Sequence, residues 1–126
     1  MEHTYNIDIR HETDTLKIRA LPEKIKKTIP ISGPYEIIKT LIIITSTRKT
    51  RAKILAQNLE ASEGPTLVSL DGKHYTLLNT GEEEEIGTVD LEPGDNTRTL
   101  YIIPLVYPFP DTESNIFLKI TALETT

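Results

Sequence analysis

Tyr5-Asn6-Ile7-Asp8-Ile9-Arg10 alternates apolar and polar residues with a period of two. Successive side chains of a strand point to opposite faces, so this pattern specifies one buried face and one solvated face. The pattern recurs along the chain. Leu16, Ile18 and Ala20 alternate with Lys17 and Arg19, while Ile116, Leu118, Ile120 and Ala122 alternate with Phe117, Lys119 and Thr121. The two N-terminal runs, divided by the polar break His11 to Thr15, read as a hairpin or as two successive edge strands.

The intervening sequence continues the β pattern. Pro22, Pro30, Gly33 and Pro34 make residues 21–34 a connection and rule out a long helix there. Tyr35 to Thr45 is apolar on both faces around Leu41-Ile42-Ile43-Ile44, as expected of a strand covered on both sides. Arg51 to Leu59 reads as a strand; a short helix is the alternative, because Ala52, Leu55, Ala56 and Leu59 also fit helical spacing. Thr66–Leu70 and Tyr75–Leu78 flank Asp71-Gly72, a dipeptide suited to a two-residue hairpin turn. Glu82 to Glu85 reads as a charged loop before a short strand, Ile86 to Leu91. After the turn Glu92 to Asn96 comes a long strand, Thr97 to Tyr107, in which Pro104 marks an edge or a bulge.

Eight to ten short strands separated by turn residues predict an all-β fold, a two-sheet antiparallel sandwich. Its 126 residues suit a single domain. Without cysteine there are no disulfides and no Cys-ligated zinc. No apolar run approaches the roughly 18–20 residues of a membrane span, and the N-terminus lacks the pattern of a leader, so a soluble chain without a membrane segment is expected. Plentiful Glu and Lys beside a single glutamine, Gln57, and no cysteine match the composition of proteins from hot environments.

Two stretches carry a resemblance. Leu41-Ile42-Ile43-Ile44-Thr45-Ser46-Thr47 followed by Arg51-Ala52-Lys53-Ile54 resembles a central strand and its partner. Val89-Asp90-Leu91-Glu92-Pro93-Gly94-Asp95 followed by Thr97-Arg98-Thr99-Leu100-Tyr101-Ile102 resembles the turn before a late strand. In both, the chain is similar to immunoglobulin-like β-sandwich modules of archaea, bacteria or their viruses. The resemblance implies an immunoglobulin-like body over residues 35–124, with residues 1–34 as an added hairpin and extension. A jelly roll is the alternative. The chain lacks the cysteine pair and core tryptophan of antibody domains. The resemblance implies architecture and no particular activity.

No catalytic, cofactor-binding or metal-binding residue is expected. There is no G-x-S-x-G elbow, and the glycines stand singly at turns, with no phosphate-cradling loop. His3 and His11, eight residues apart, would lie ~27 Å apart on one strand and cannot share a metal. His74 sits beside a turn. Glu82, Glu83, Glu84 and Glu85, with Asp71, Asp90, Asp95 and Asp111, leave a calcium-binding sandwich as an alternative, although no EF-hand spacing is present.

Charge is unevenly divided. Residues 1–53 hold eleven Lys or Arg against six acids and residues 54–126 three against thirteen, so +5 and −10 make up the net −5. Two basic clusters stand out: Lys24, Lys26 and Lys27, and Arg48, Lys49 and Arg51 with Lys53. The acidic net charge and the absence of aromatics among the bases argue against nucleic acid as a partner. Opposed patches on one molecule would instead suit head-to-tail contacts between copies, unless the halves interleave and the charges cancel in space. Strand Thr4 to Arg10, with Tyr5, Ile7 and Ile9, is expected to pair with a neighbour's sheet edge. These residues, the basic clusters and Glu82–Glu85 are the candidate contacts. The function expected is a non-catalytic structural subunit, assembling with copies of itself or another protein in a surface filament or virion-like particle outside the cell. The alternative is a protein- or carbohydrate-binding module using Tyr75, Tyr107 and Phe109.

Overall fold

The computed structural model describes residues 1–12, 16–32 and 36–125. The polar break at 13–15 and the Gly33-Pro34 turn with Tyr35 lie outside the described residues. These residues form ten strands: β1 (Glu2–Glu12), β2 (Lys17–Leu21), β3 (Lys24–Pro30), β4 (Ile38–Ser46), β5 (Thr50–Asn58), β6 (Thr66–Ser69), β7 (Thr76–Leu78), β8 (Glu83–Leu91), β9 (Gly94–Pro104) and β10 (Thr112–Thr125). No helix occurs among the described residues, and Arg51–Leu59 takes the strand alternative.

The strands make two five-stranded sheets, sheet A in the order β3-β1-β10-β5-β8 and sheet B in the order β2-β4-β9-β6-β7. Every pairing is antiparallel except β1 with β10. The expected two-sheet sandwich is therefore present. From β3 to β10 the chain crosses between the sheets at every connection but one, the β6–β7 hairpin. This is the winding of a jelly roll, the alternative left open by the sequence. Here β1 is inserted between its first and last strands, and β2 is added at the edge beside β4.

Isoleucine dominates the interior. Ile7, Ile9, Ile42, Ile44, Ile54, Ile102, Ile116 and Ile120 are fully buried, together with Leu78, Leu91, Leu100 and Leu118. A β-branched side chain is stiff and fits a pleated surface, so each inward position is filled at little entropic cost. Full burial of one such side chain contributes about 1.5–3 kcal/mol.

Several local expectations are corrected. β1 and β2 lie in different sheets and do not form a hairpin. The proline-bearing connection contains a strand, β3, because Pro30 falls at its end and Pro22 before its start. The Asp71-Gly72 hairpin is real but its loop is wider than two residues, since the last paired residues are Val68 and Thr76. There Asp71 accepts from the backbone N–H groups of Lys73 and His74, each at 2.8 Å, which stabilises an open loop. Gly72 takes φ +74°. Pro104 ends β9 where that strand pairs with β6 alone, since the ladder with β4 stops at Ile102; a register shift lies between β5 and β8, at Ile54/Leu55.

Candidate functional site

β1 is an interior strand. It pairs with β3 from Glu2 to Asp8 and with β10 from His3 to Glu12, so its backbone is held on both sides. Tyr5, Ile7 and Ile9 point into the core at 2–3% exposure. The Tyr5 hydroxyl donates to the Val106 carbonyl at 2.7 Å. These three residues cannot add to a neighbour's sheet, which overturns their expected role as contacts. They are core.

His3 continues the same inward alternation and is also buried. Its Nδ1 lies 2.9 Å from the Phe109 carbonyl and 3.0 Å from Thr112 Oγ1, and its Nε2 lies 2.9 Å from Ser114 Oγ. A carbonyl only accepts, so Nδ1–H donates to Phe109, and Nε2 shares a second hydrogen bond with the Ser114 hydroxyl. The ring also stacks edge-on against Tyr5 at 4.7 Å. This polar knot ties the first strand to the loop before β10. The alternation Tyr5, Ile7, Ile9 carried back two residues was the sequence signal for it.

The basic residues of the first half meet acids of the second. Arg51 pairs with Asp90 at 2.8 Å, Lys49 with Glu92 at 3.9 Å and Arg19 with Asp95 at 3.6 Å. Arg48 donates to Glu124, which also accepts from Thr50; the guanidinium first, then the hydroxyl, holds the Glu124 carboxyl below its usual range. Much of the charge asymmetry in sequence is thus taken up inside the molecule. The cluster Arg48, Lys49 and Arg51 is internally matched.

The acidic run is not. Glu83, Glu84 and Glu85 lie on β8, pairing opposite Gln57, Ala56 and Leu55, where a loop was expected. β8 is the outermost strand of sheet A on one side and β3 the outermost on the other. Among the described residues, no cation lies within ion-pair distance of Glu82, Glu83, Glu84 or Glu85. Glu82 caps Asn79, and Glu85 accepts from Thr88. On the far edge, Lys24, Lys26 and Lys27 occupy β3; Lys26 reaches Glu113 at 3.6 Å and Lys27 reaches Glu36 at 3.3 Å, both in exposed pairs.

The two outer faces differ. The large exposed hydrophobic residues that lie within strands, Leu21, Leu41 and Leu77, all belong to sheet B, and exposed Ile37 immediately precedes β4. Leu21 sits opposite Leu41, and Ile103, Leu67 and Leu77 form one row across β9, β6 and β7. On sheet A, the outward positions of β1 are Thr4, Asn6, Asp8 and Arg10, and the Arg10 guanidinium lies over the Phe117 ring at 5.2 Å. Beside these faces, Tyr107 and Phe109 are 68% and 61% exposed, with rings 5.1 Å apart edge to face. Tyr75 is half-buried.

Asp71 and His74 form a small exposed unit, Nδ1 to Oδ2 at 2.6 Å. That bond raises the His74 pKa, and it is the largest of several bonds that lower the Asp71 carboxyl well below the usual range. Among the described residues, no three His, Asp or Glu side chains converge as metal ligands. No helix among the described residues is long and apolar enough to cross a membrane. The sequence matches no protein-family model, and no curated protein matches it.

Proposed function

We propose that this chain is a non-catalytic structural subunit that works through contacts between copies. The assembly envisaged is a filament or virion-like shell built outside the cell from modules of archaeal, bacterial or viral type. The observation that carries the reading is the unlike pair of outer faces. Exposed large apolar side chains, Leu21, Ile37, Leu41 and Leu77, are concentrated on or beside sheet B, and a face enriched in exposed apolar residues is characteristic of interaction sites. Sedimentation velocity tests it. The wild-type chain is expected to sediment faster with rising concentration, and the double variant Leu21→Lys, Leu41→Lys to lose part of that increase. A chain that stays monomeric throughout, or a double variant that associates like the wild type, would count against the reading.

One observation favours a second reading, a module that binds a protein or carbohydrate. The Tyr107–Phe109 pair is exposed and stacked on a loop fixed from beneath by His3, and rigid aromatics suit such recognition. The jelly-roll winding occurs in capsid and lectin domains alike, so it favours neither reading. Glycan-array binding abolished by Tyr107→Ala would move the balance to the second.

A further inference from the structure

We propose that copies of this chain join edge to edge, β8 of one against β3 of the next, so that sheet A runs on from molecule to molecule. The inference rests on the assembly reading above and names its partner as a second copy of the chain. Three observations carry it.

The first is the open backbone. Among the described residues, β3 pairs only with β1 and β8 only with β5, leaving one side of each available for another ladder. Their lengths are similar, seven and nine residues.

The second is direction. β3 runs antiparallel to β1, β1 parallel to β10, β10 antiparallel to β5, and β5 antiparallel to β8. Hence β8 runs opposite to β3. Two copies in the same orientation, displaced sideways and by a few residues along the strands, bring Glu83 and Glu85 at the start of β8 opposite Lys26 and Lys24 at the start of β3 as an antiparallel pair, with outward faces still outward. No inversion of a copy is needed.

The third is charge. Glu83 and Glu85 share the outward side of β8, since their partners Gln57 and Leu55 face away from the buried Asn58, Ala56 and Ile54. Lys24 and Lys26 share the outward side of β3, while Glu84 and Lys27 point to the other side of their strands. β8 carries acids and no cation, and β3 lysines and no acid, so β8 against β8 or β3 against β3 pairs no opposite charges, whereas β8 against β3 pairs Glu83 and Glu85 with Lys26 and Lys24. The unlike contact is the one that charge favours, and it is heterologous, so it propagates into a filament or a ring. The existing Lys26–Glu113 and Lys27–Glu36 pairs do not compete strongly, because exposed ion pairs are individually weak.

Charge exchange tests this. One variant carries Glu83→Lys, Glu84→Lys and Glu85→Lys, so both edges are basic. The other carries Lys24→Glu, Lys26→Glu and Lys27→Glu, so both edges are acidic. With thermal melting confirming that each folds, each alone is expected to show association weakened roughly tenfold or more. An equimolar mixture is expected to recover it, alternating the two. The variant Glu83→Gln, Glu84→Gln, Glu85→Gln keeps side-chain shape, removes charge only, and is expected to weaken association; it serves as the test if either charge-reversed chain fails to fold. If the wild type associates and the variants associate equally well, or mixing restores nothing, the edge contact is wrong while the assembly reading stands. A wild type that never associates overturns both.

Discussion

Ile7 lies directly opposite Ile116 in the parallel ladder between β1 and β10, both side chains fully buried. A residue near one end of the chain and one near the other thus share a single layer of core. Ile7→Ala removes three carbons from this layer. It is expected to cost about 2–5 kcal/mol in a denaturant melt. Thr97→Ala, on the exposed face of β9, is expected to stay within about 0.5 kcal/mol. Deleting residues 1–10 is expected to abolish the cooperative transition.

His3 is expected to matter to the loop it holds. In His3→Ala, the Ser114 hydroxyl and the Phe109 carbonyl lose a buried partner, at a cost of about 1–3 kcal/mol. Ser114→Ala loses one bond and is expected to cost about 1 kcal/mol. Limited proteolysis should cut near Tyr107–Asp111 faster in the His3 variant than in the wild type. Equal rates would mean the loop is held by other contacts.

Asp71 and His74 give a signed pH effect. The hydrogen bond raises the His74 pKa above the ordinary value of about 6.5. Its stabilising contribution is complete below that unfolded value and is lost as pH rises through the raised folded value. The lowered Asp71 carboxyl contributes above its own unfolded pKa and loses that contribution as pH falls through its depressed folded value. In an NMR titration, His74 should titrate above about 6.5, and Asp71→Asn should bring it back down. An unmoved His74 in that variant would show that Asp71 is not the cause.

Gly72 combines a backbone and a packing requirement. Its φ of +74° is strained for an L side chain, and an added Cβ would sit 3.2 Å from the Tyr101 ring. Gly72→Ala is expected to cost about 1–2 kcal/mol or more. Gly94→Ala, at φ +101° with nothing near its Cβ, should carry backbone strain alone and cost less in the same melt.

Strand identity was legible in the sequence, and strand position was not. The alternation of Tyr5, Ile7 and Ile9 states which side chains face inward. It cannot state that the neighbours are β3 and β10, because the latter pairing joins residues more than a hundred positions apart. Glu83–Glu85 reads as a loop because glutamate is disfavoured in strands, yet an edge strand has one side in water and gains protection from charge. β3 was obscured for a similar reason: its lysines and flanking prolines hide the inward Ile25 and Ile29. The candidate contacts divide along the same line. Tyr5, Ile7 and Ile9 are core, and Arg48, Lys49 and Arg51 have internal partners. Lys24, Lys26, Lys27 and the glutamates lie where a second copy could meet them. The apolar face of sheet B escaped notice because Leu21, Leu41 and Leu77 are distant in sequence and share a face only after pairing.

Self-association is the claim on which the account turns, and the mass of the wild-type chain in solution tests it most directly. Light scattering from micromolar to millimolar concentration, at low and at high salt, should give a mass that climbs well above the 14.2 kDa of one chain. A mass that remains at 14.2 kDa across that whole range would contradict it.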